Sequence, residues 1–311
     1  MKILVLGATG QVGFELLRSL APLGSVSAAA RGGDLGDGTR CLDVDFAQTV
    51  SLASALEAAH PDVIVNAAAY TAVDRAEDEP GVADRVNHLA VAEIGAWAAR
   101  HQARVVHYST DYVFDGTATG PYREDDRTAP LGVYGQTKLA GEEALRASGA
   151  RYLLLRTAWV YASRGHNFLR TMLRLGTERD ELRIVNDQIG APIPAHLIAE
   201  ATASLLHVWL DRGVTAEEGF DGTYHVASRG HCSWFDFAGA ILLGAKERGL
   251  IERVPHLVPI SSADYPTRAR RPAYSVLDCD RLEAAFGLQL PTWEAGLAGV
   301  LDELGSARAK S

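Results

Sequence analysis

The chain has 311 residues, of which 47% are hydrophobic and 22% charged, so it can bury a large core and is too apolar to be a disordered chain. A formal net charge of −9 argues against a nucleic-acid or anionic-membrane surface. The three cysteines, Cys41, Cys232 and Cys279, lie far apart with no C-x-x-C, giving neither a disulfide framework nor a zinc site and fitting a reducing cytoplasm.

Residues 2–6 carry the apolar run Ile3-Leu4-Val5-Leu6, which breaks at Gly7, and apolar residues return with helical spacing at Val12, Leu16, Leu17 and Leu20. This pattern predicts a strand, a tight turn and a helix over 11–21, and no signal peptide is expected before it. The spacing Gly7-x-x-Gly10-x-x-Gly13 is read as a dinucleotide loop. Gly7 allows the turn, Gly10 lets backbone approach a pyrophosphate, and Gly13 lets the helix pack close on the strand. The first helical amides, around Gln11 and Val12, turn the positive end of the helix dipole to an anion. No Lys-Ser/Thr pair follows, which argues against a nucleoside-triphosphate loop.

Further strands are expected at 25–29, 62–66, 104–108 and 151–155, with helices near 47–59, 82–101 and 133–148 between them. Near-continuous apolar strands such as Val63-Ile64-Val65 suit a parallel sheet covered on both faces. The expected fold class is therefore α/β, a doubly wound parallel Rossmann-type sheet that binds ligands at the carboxyl ends of its strands. The second strand ends Ala28-Ala29-Ala30-Arg31. It lacks the carboxylate that would hold a ribose 2′-hydroxyl, and Arg31 would face a 2′-phosphate, so NADPH is favoured over NADH, with dual use left open.

Two further stretches carry chemistry. His107-Tyr108-Ser109-Thr110-Asp111-Tyr112 reads as a strand running out into a polar turn, and Val133-Tyr134-Gly135-Gln136-Thr137-Lys138 opens a helix. Tyr134 and Lys138, four apart, share one helix face. An unperturbed phenol has a pKa of about 10, and bringing it near 7 takes about 4 kcal/mol. A neighbouring Lys⁺ and the positive ring of a bound cofactor would supply much of that, with the Thr110 hydroxyl holding the oxygen that receives the proton.

Beyond residue 160 the pattern changes to a loop over 188–194, a helix at 195–211, a strand at 223–227 and a helix near 233–248. We expect a dinucleotide-binding domain over 1–160 and a smaller substrate-binding lobe over 161–305, with chain exchange back to the first domain and a cleft between them. Residues 305–311 read as a fraying tail. The basic stretch Tyr265–Pro272 would bring an arginine, Arg268 or Arg271, to a diphosphate.

Together with Asn66-Ala67-Ala68-Ala69, these motifs resemble the extended short-chain dehydrogenase/reductases. A narrower set, Asn66–Asp74, His107–Phe114, Arg156–Tyr161, Asn186–Pro192 and Ala269–Pro272, is similar to the dTDP-4-dehydrorhamnose reductase family and runs in family order over nearly the whole chain. The resemblance implies hydride transfer from a nicotinamide cofactor to C4 of dTDP-4-dehydro-6-deoxy-L-mannose, giving dTDP-L-rhamnose for cell-surface polysaccharide. It implies that Tyr134 protonates the new alkoxide, that Lys138 lowers the Tyr134 pKa and holds the nicotinamide ribose, and that Thr110 meets the carbonyl oxygen. It places Asp111, Trp159 and Arg271 near the substrate, and Asp43, Val44, Ala67, Ala68, Ala69 and Tyr108 near the cofactor. Some members carry a magnesium-bridged dimer built on three glutamates. The matching positions here are Glu15, His196 and Glu303, and His196 breaks the all-carboxylate set that suits a hard cation, so no metal is expected and the chain is a monomer or a homodimer. The expected partner is a small nucleotide sugar, with no nucleic acid and no membrane. Three alternatives stay open: a sugar-nucleotide 4,6-dehydratase, an epimerase, and a non-catalytic regulatory subunit that binds the cofactor. The dehydratase needs an Asp-Glu pair after the threonine, where this chain has Asp111-Tyr112.

Overall fold

The computed structural model describes residues 1–211 and 220–309. The apolar runs of the first half form strands β1 (Lys2–Leu6), β2 (Ser25–Ala30), β3 (Leu42–Asp43), β4 (Val63–Asn66), β5 (Arg104–Thr110) and β6 (Arg151–Thr157). Between them lie helices α1 (Gln11–Ser19), α2 (Thr49–Ala59), α3 (Val73–Ala76), α4 (Pro80–Asp84), α5 (Ala90–His101) and α6 (Val133–Ala147). The second half adds β7 (Val160–Tyr161), α7 (Phe168–Glu178), β8 (Glu181–Val185), β9 (Ile189–Gly190), β10 (Ile193–Pro194) and α8 (Ala195–Asp211). It ends with β11 (Gly222–His225), β12 (Cys232–Ser233), α9 (Trp234–Glu247), β13 (His256–Ile260), α10 (Asp280–Phe286) and α11 (Trp293–Ala309). The tail expected to fray from Gly305 is helical through Ala309, and its last two residues lie outside the described residues.

Seven strands make one sheet in the order β11-β6-β5-β4-β1-β2-β3, and every neighbouring pair is parallel. Alternate side chains feed two cores. Ile3 and Val5 of β1 pack with Leu16 of α1, with Leu20 just past its end, and with Ile198, Leu205 and Trp209 of α8. Leu4 and Leu6 pack on the other face with Leu52 and Leu56 of α2, Ile94 and Trp97 of α5, and Leu145 of α6. Each fully buried aliphatic contributes about 1.5–3 kcal/mol, so strands apolar on both faces are what this doubly covered sheet requires. The strand order reverses at β1, whose neighbours are β2 and β4, and the crevice at that reversal is where a dinucleotide sits in such sheets.

One strand pairing joins the two halves of the chain, and one helix departs from the sequence reading. Strand β11 comes from the second half of the chain and pairs with β6, Gly222 opposite Leu153 through His225 opposite Arg156. The single helix expected over 82–101 is instead α4, a π-helical turn at Arg85–Leu89 and then α5. Asn87 accounts for the turn. Its Nδ2 donates to the Tyr70 carbonyl at 3.1 Å and to Thr137 Oγ1 at 3.2 Å, and its Oδ1 accepts from Tyr70 N at 2.8 Å. Those bonds fix a buried amide where regular α-helical winding was expected.

A third core binds α7, α9 and α11 through Leu169, Met172, Phe237, Ile241, Leu242, Leu297 and Leu301. Helix α9 starts on a capping box in which Ser233 Oγ accepts from Asp236 N at 3.0 Å and the Asp236 carboxylate accepts from Ser233 N at 3.0 Å. Beside it, β8 and β13 form a parallel pair.

Candidate active site

The glycine turn has no room for side chains. Gly7 has φ 78°, and a Cβ there would stand 2.7 Å from Ala68 N. A Cβ on Gly13 would stand 2.1 Å from the Gly7 carbonyl oxygen. Gly10 caps α1 with no side-chain hydrogen bond to the first amides, which suits an anion. A cleft of about 490 Å³ opens here, lined by Gly7, Gly10, Arg31, Val44, Ala67, Ala68 and Ala69. Its small side chains leave backbone accessible, and Arg31 stands at the end of β2, so the residues present fit a dinucleotide with a 2′-phosphate.

Not every residue expected at the cofactor lines this cleft. Asp43 Oδ1 accepts from Gly32 N at 2.7 Å and holds the turn that carries Arg31. Gln11 Oε1 accepts from Asn167 Nδ2 at 2.8 Å, tying the start of α1 to the loop after β7. Val12 packs against the sheet core. The Tyr108 hydroxyl shares a hydrogen bond with Thr202 Oγ1 at 2.6 Å on the opposite side of the sheet, and only its carbonyl faces α6.

Thr110 is the last residue of β5, and α6 brings Tyr134 to it. The approach is close because Gly135 replaces a side chain: a Cβ there would stand 2.2 Å from the Tyr112 carbonyl oxygen. The Tyr112 and Tyr134 rings meet edge to face at 5.7 Å. Burial pushes the Tyr134 phenol up to about 12, opposed by its hydrogen bond with Thr110 and reinforced by the Asp111 charge. In the direction of ketone reduction that is the useful state. A C4 alkoxide is a stronger base than a phenolate, and an acid of raised pKa stays loaded until the alkoxide forms.

Lys138 is 2% exposed. Its Nζ donates to the Tyr108 carbonyl at 2.6 Å and stands 3.3 Å from His107 Nε2, so the ammonium is turned toward β5 rather than bonded to the phenol. Burial lowers Lys138 to about 8, and the charge of Glu142 pulls it back up. His107, fully buried beside Asn66 Nδ2 at 3.1 Å, is held neutral by burial and by the Lys138 charge.

Glu142 was not singled out from the sequence. It is 0% exposed and accepts from Arg156 Nε at 2.9 Å and Nη2 at 2.8 Å, a two-pronged pair, and from Arg146 Nη2 at 2.6 Å. The signal was present: Tyr134, Lys138 and Glu142 repeat every four residues along one stripe of α6.

Of the residues expected at the substrate, Asp111 is buried next to Thr110 and pushed up to about 6 by burial. Trp159, just past β6, has φ 46°. Its ring stacks on Trp234 with centroids 3.5 Å apart, and a Cβ on Gly190 would stand 2.4 Å from its Cε2. Trp234 donates to Gln188 Oε1 at 3.2 Å. That partner of Trp159 was also missed, because nothing local in the sequence joins positions 159 and 234.

The basic stretch lies across the first half of the chain. Arg271 Nη2 donates to Asp74 Oδ2 at 3.0 Å, Ala269 N donates to Asp74 Oδ1 at 3.0 Å, and Arg268 pairs with Asp78. The arginines expected to meet a diphosphate are therefore held by carboxylates in this structure. Of the positions matched to the magnesium glutamates, Glu15 pairs with Arg18 and Glu303 accepts from Ser163. No three metal-ligating side chains gather among the described residues.

Comparison with known proteins gives a consistent result. Residues 1–306 match the family described as the RmlD substrate binding domain. The chain is 44% identical over 304 residues to dTDP-4-dehydrorhamnose reductase of Escherichia coli strain K12, covering 98% of each chain. It is 48% identical over 297 residues to the reductase of that name from Burkholderia thailandensis, covering 94% of this chain and 95% of that one. A crystal structure of dTDP-4-dehydrorhamnose reductase from Bacillus anthracis in complex with NADP superposes with a TM-score of 0.84 at 31% identity, covering 97% of this chain and 99% of that one.

Proposed function

This chain belongs to the RmlD substrate binding domain family, that of the dTDP-4-dehydrorhamnose reductases, and on that premise we propose how its residues carry the family's reaction. It is an NADPH-dependent oxidoreductase that reduces the C4 ketone of dTDP-4-dehydro-6-deoxy-L-mannose to dTDP-L-rhamnose. The observation that carries the assignment of roles is the meeting of Thr110, Tyr134 and buried Lys138 at the carboxyl end of β5. A bound NADPH supplies the hydride. Tyr134 gives its phenolic proton to O4, the Thr110 hydroxyl holds that oxygen, and Lys138, kept charged by Glu142, holds the nicotinamide ribose. Asp111 and Trp159 contact the sugar, and Arg271 exchanges Asp74 for the diphosphate. The three free thiols suit a reducing cytoplasm. No helix among the described residues is long and apolar enough to cross a membrane. A monomer or a homodimer without a bridging metal completes the reading.

Adding the keto-sugar nucleotide should consume NADPH one for one, followed as loss of its absorbance. A dehydratase or an epimerase would release product with no net loss of NADPH, and a regulatory subunit would turn over nothing. Arg31→Ala should weaken NADPH by about tenfold or more, as for the loss of a hydrogen bond to a charged group, and leave NADH nearly unchanged. Equal losses for both cofactors in a binding titration would remove Arg31 as the reader of the 2′-phosphate.

A further inference from the structure

We propose that Asp111 decides which way the Thr110 hydroxyl points, and that its neutral carboxyl is the form in which the site reduces a ketone. The inference rests on the reading of Thr110 and Tyr134 as the groups that meet O4. Thr110 has one hydroxyl proton. In this structure it is given to Asp111 Oδ1 at 3.1 Å, while Thr110 Oγ1 accepts from Tyr112 N at 3.2 Å. Held that way, the hydroxyl offers its oxygen rather than its proton to anything on the Tyr134 side. A carboxylate draws that proton about twice as strongly as a neutral acceptor does. Ionised Asp111 therefore keeps the Thr110 proton from the ketone and invites the Tyr134 phenol to donate into Thr110. Neutral Asp111 releases both protons toward O4.

The surroundings shift Asp111 toward the neutral form. Asp111 is 2% exposed, and its Oδ2 is buried with no hydrogen-bond partner. An anionic oxygen without a partner in that position is costly, and a proton on it removes the cost. Burial already holds this carboxyl up to about 6, against the hydrogen bond from Thr110. A substrate that displaces water from the cleft raises it further. The other titratable groups around it are Tyr112 beside it, Tyr134 on α6, and Arg271 and Asp74, whose charges both reach Tyr112. Lys138 lies one helical turn beyond Tyr134. Asp111 thus acts through Thr110 and is a positioning residue in this role.

The test is the pH dependence of kcat, with NADPH and keto-sugar nucleotide saturating, for the wild type, Asp111→Asn and Thr110→Val. The wild type should lose rate as pH rises through the titration of Asp111, before the separate fall in which Lys138 loses its proton. Asp111→Asn, a neutral isostere, should lose the first fall and keep the second. Thr110→Val should lower kcat about 100-fold or more, as for the loss of an oxyanion donor, and should also lose the first fall, because the carboxyl then has no hydroxyl to aim. If either variant keeps the first fall, or if Asp111→Asn is as slow as Thr110→Val at every pH, the proposal is overturned. Near-normal turnover in Thr110→Val would instead remove the reading of Thr110 on which the proposal rests.

Discussion

Replacing Tyr134 with phenylalanine is expected to lower kcat at least about 100-fold, the lower end of what one positioned general acid contributes, while NADPH affinity changes little. The loss corresponds to about 2.7 kcal/mol of transition-state stabilisation. The ring stays in place against Tyr112, so the substitution removes an acid and little packing. Burial holds the wild-type phenol at about 12, so it carries its proton across the whole physiological range. The variant should therefore be slow at every pH rather than slow at one end of the profile. Single-turnover measurements with preloaded NADPH separate the chemical step from product release. A rate within a few fold of wild type would take the proton donor's role away from Tyr134.

The largest expected effect on stability comes from Glu142→Gln. The Arg156–Glu142 pair is 2% and 0% exposed, and removing one partner leaves the other charge buried without compensation. Such changes cost about 3–5 kcal/mol, measured here as a lower midpoint in urea unfolding. Joint replacement of both partners by well-packed apolar residues should recover most of the loss, because a buried pair returns little net energy over a good apolar fit. A Glu142→Gln variant as stable as wild type would show that Arg156 finds its compensation elsewhere. The pair also sets an acid limit. Burial raises the Glu142 carboxyl, but hydrogen bonds and charge from Arg156, with the charge of Arg146, outweigh it and leave it below its ordinary value of 4.5. A folded pKa below the unfolded one means that its stabilisation is present above 4.5 and is lost as pH falls through the folded value. His225, held down to about 3 by burial and by the Arg156 charge, begins to cost stability earlier, as pH falls below 6.5. The Gln variant should keep the His225 slope and lose the Glu142 slope.

The parts of the molecule legible in the sequence are those that repeat at short range. Val63-Ile64-Val65 could be recognised as a doubly buried strand because three adjacent apolar residues leave no solvated face. Gly7, Gly10 and Gly13 announced the turn because each stands where a Cβ would collide with backbone or would crowd it. Tyr134 and Lys138 were visible because four residues is one helical turn. Long-range pairings were not. Trp159 and Trp234 are 75 residues apart in number, and their stack depends on the absence of a side chain at Gly190. Arg268 meets Asp78 across 190 residues, so a basic stretch that reads as free to bind a diphosphate is already occupied. The π turn depends on an amide, Asn87, whose partners Tyr70 and Thr137 lie on two other segments. Even the direction in which Lys138 points was set by a carbonyl on β5 rather than by its helical neighbour.

Strand β11 bears on how this protein could be divided. Because Gly222–His225 closes the flank of the sheet beside β6, a fragment ending near residue 160 would expose the backbone amides and carbonyls of Leu153, Leu154 and Leu155 along an unprotected apolar border. Such a border recruits other chains, and the isolated fragment would polymerise rather than bind nucleotide. The second half of the chain thus supplies the stitch that closes the sheet of the first, and exchanging modules between relatives would have to carry that stitch along.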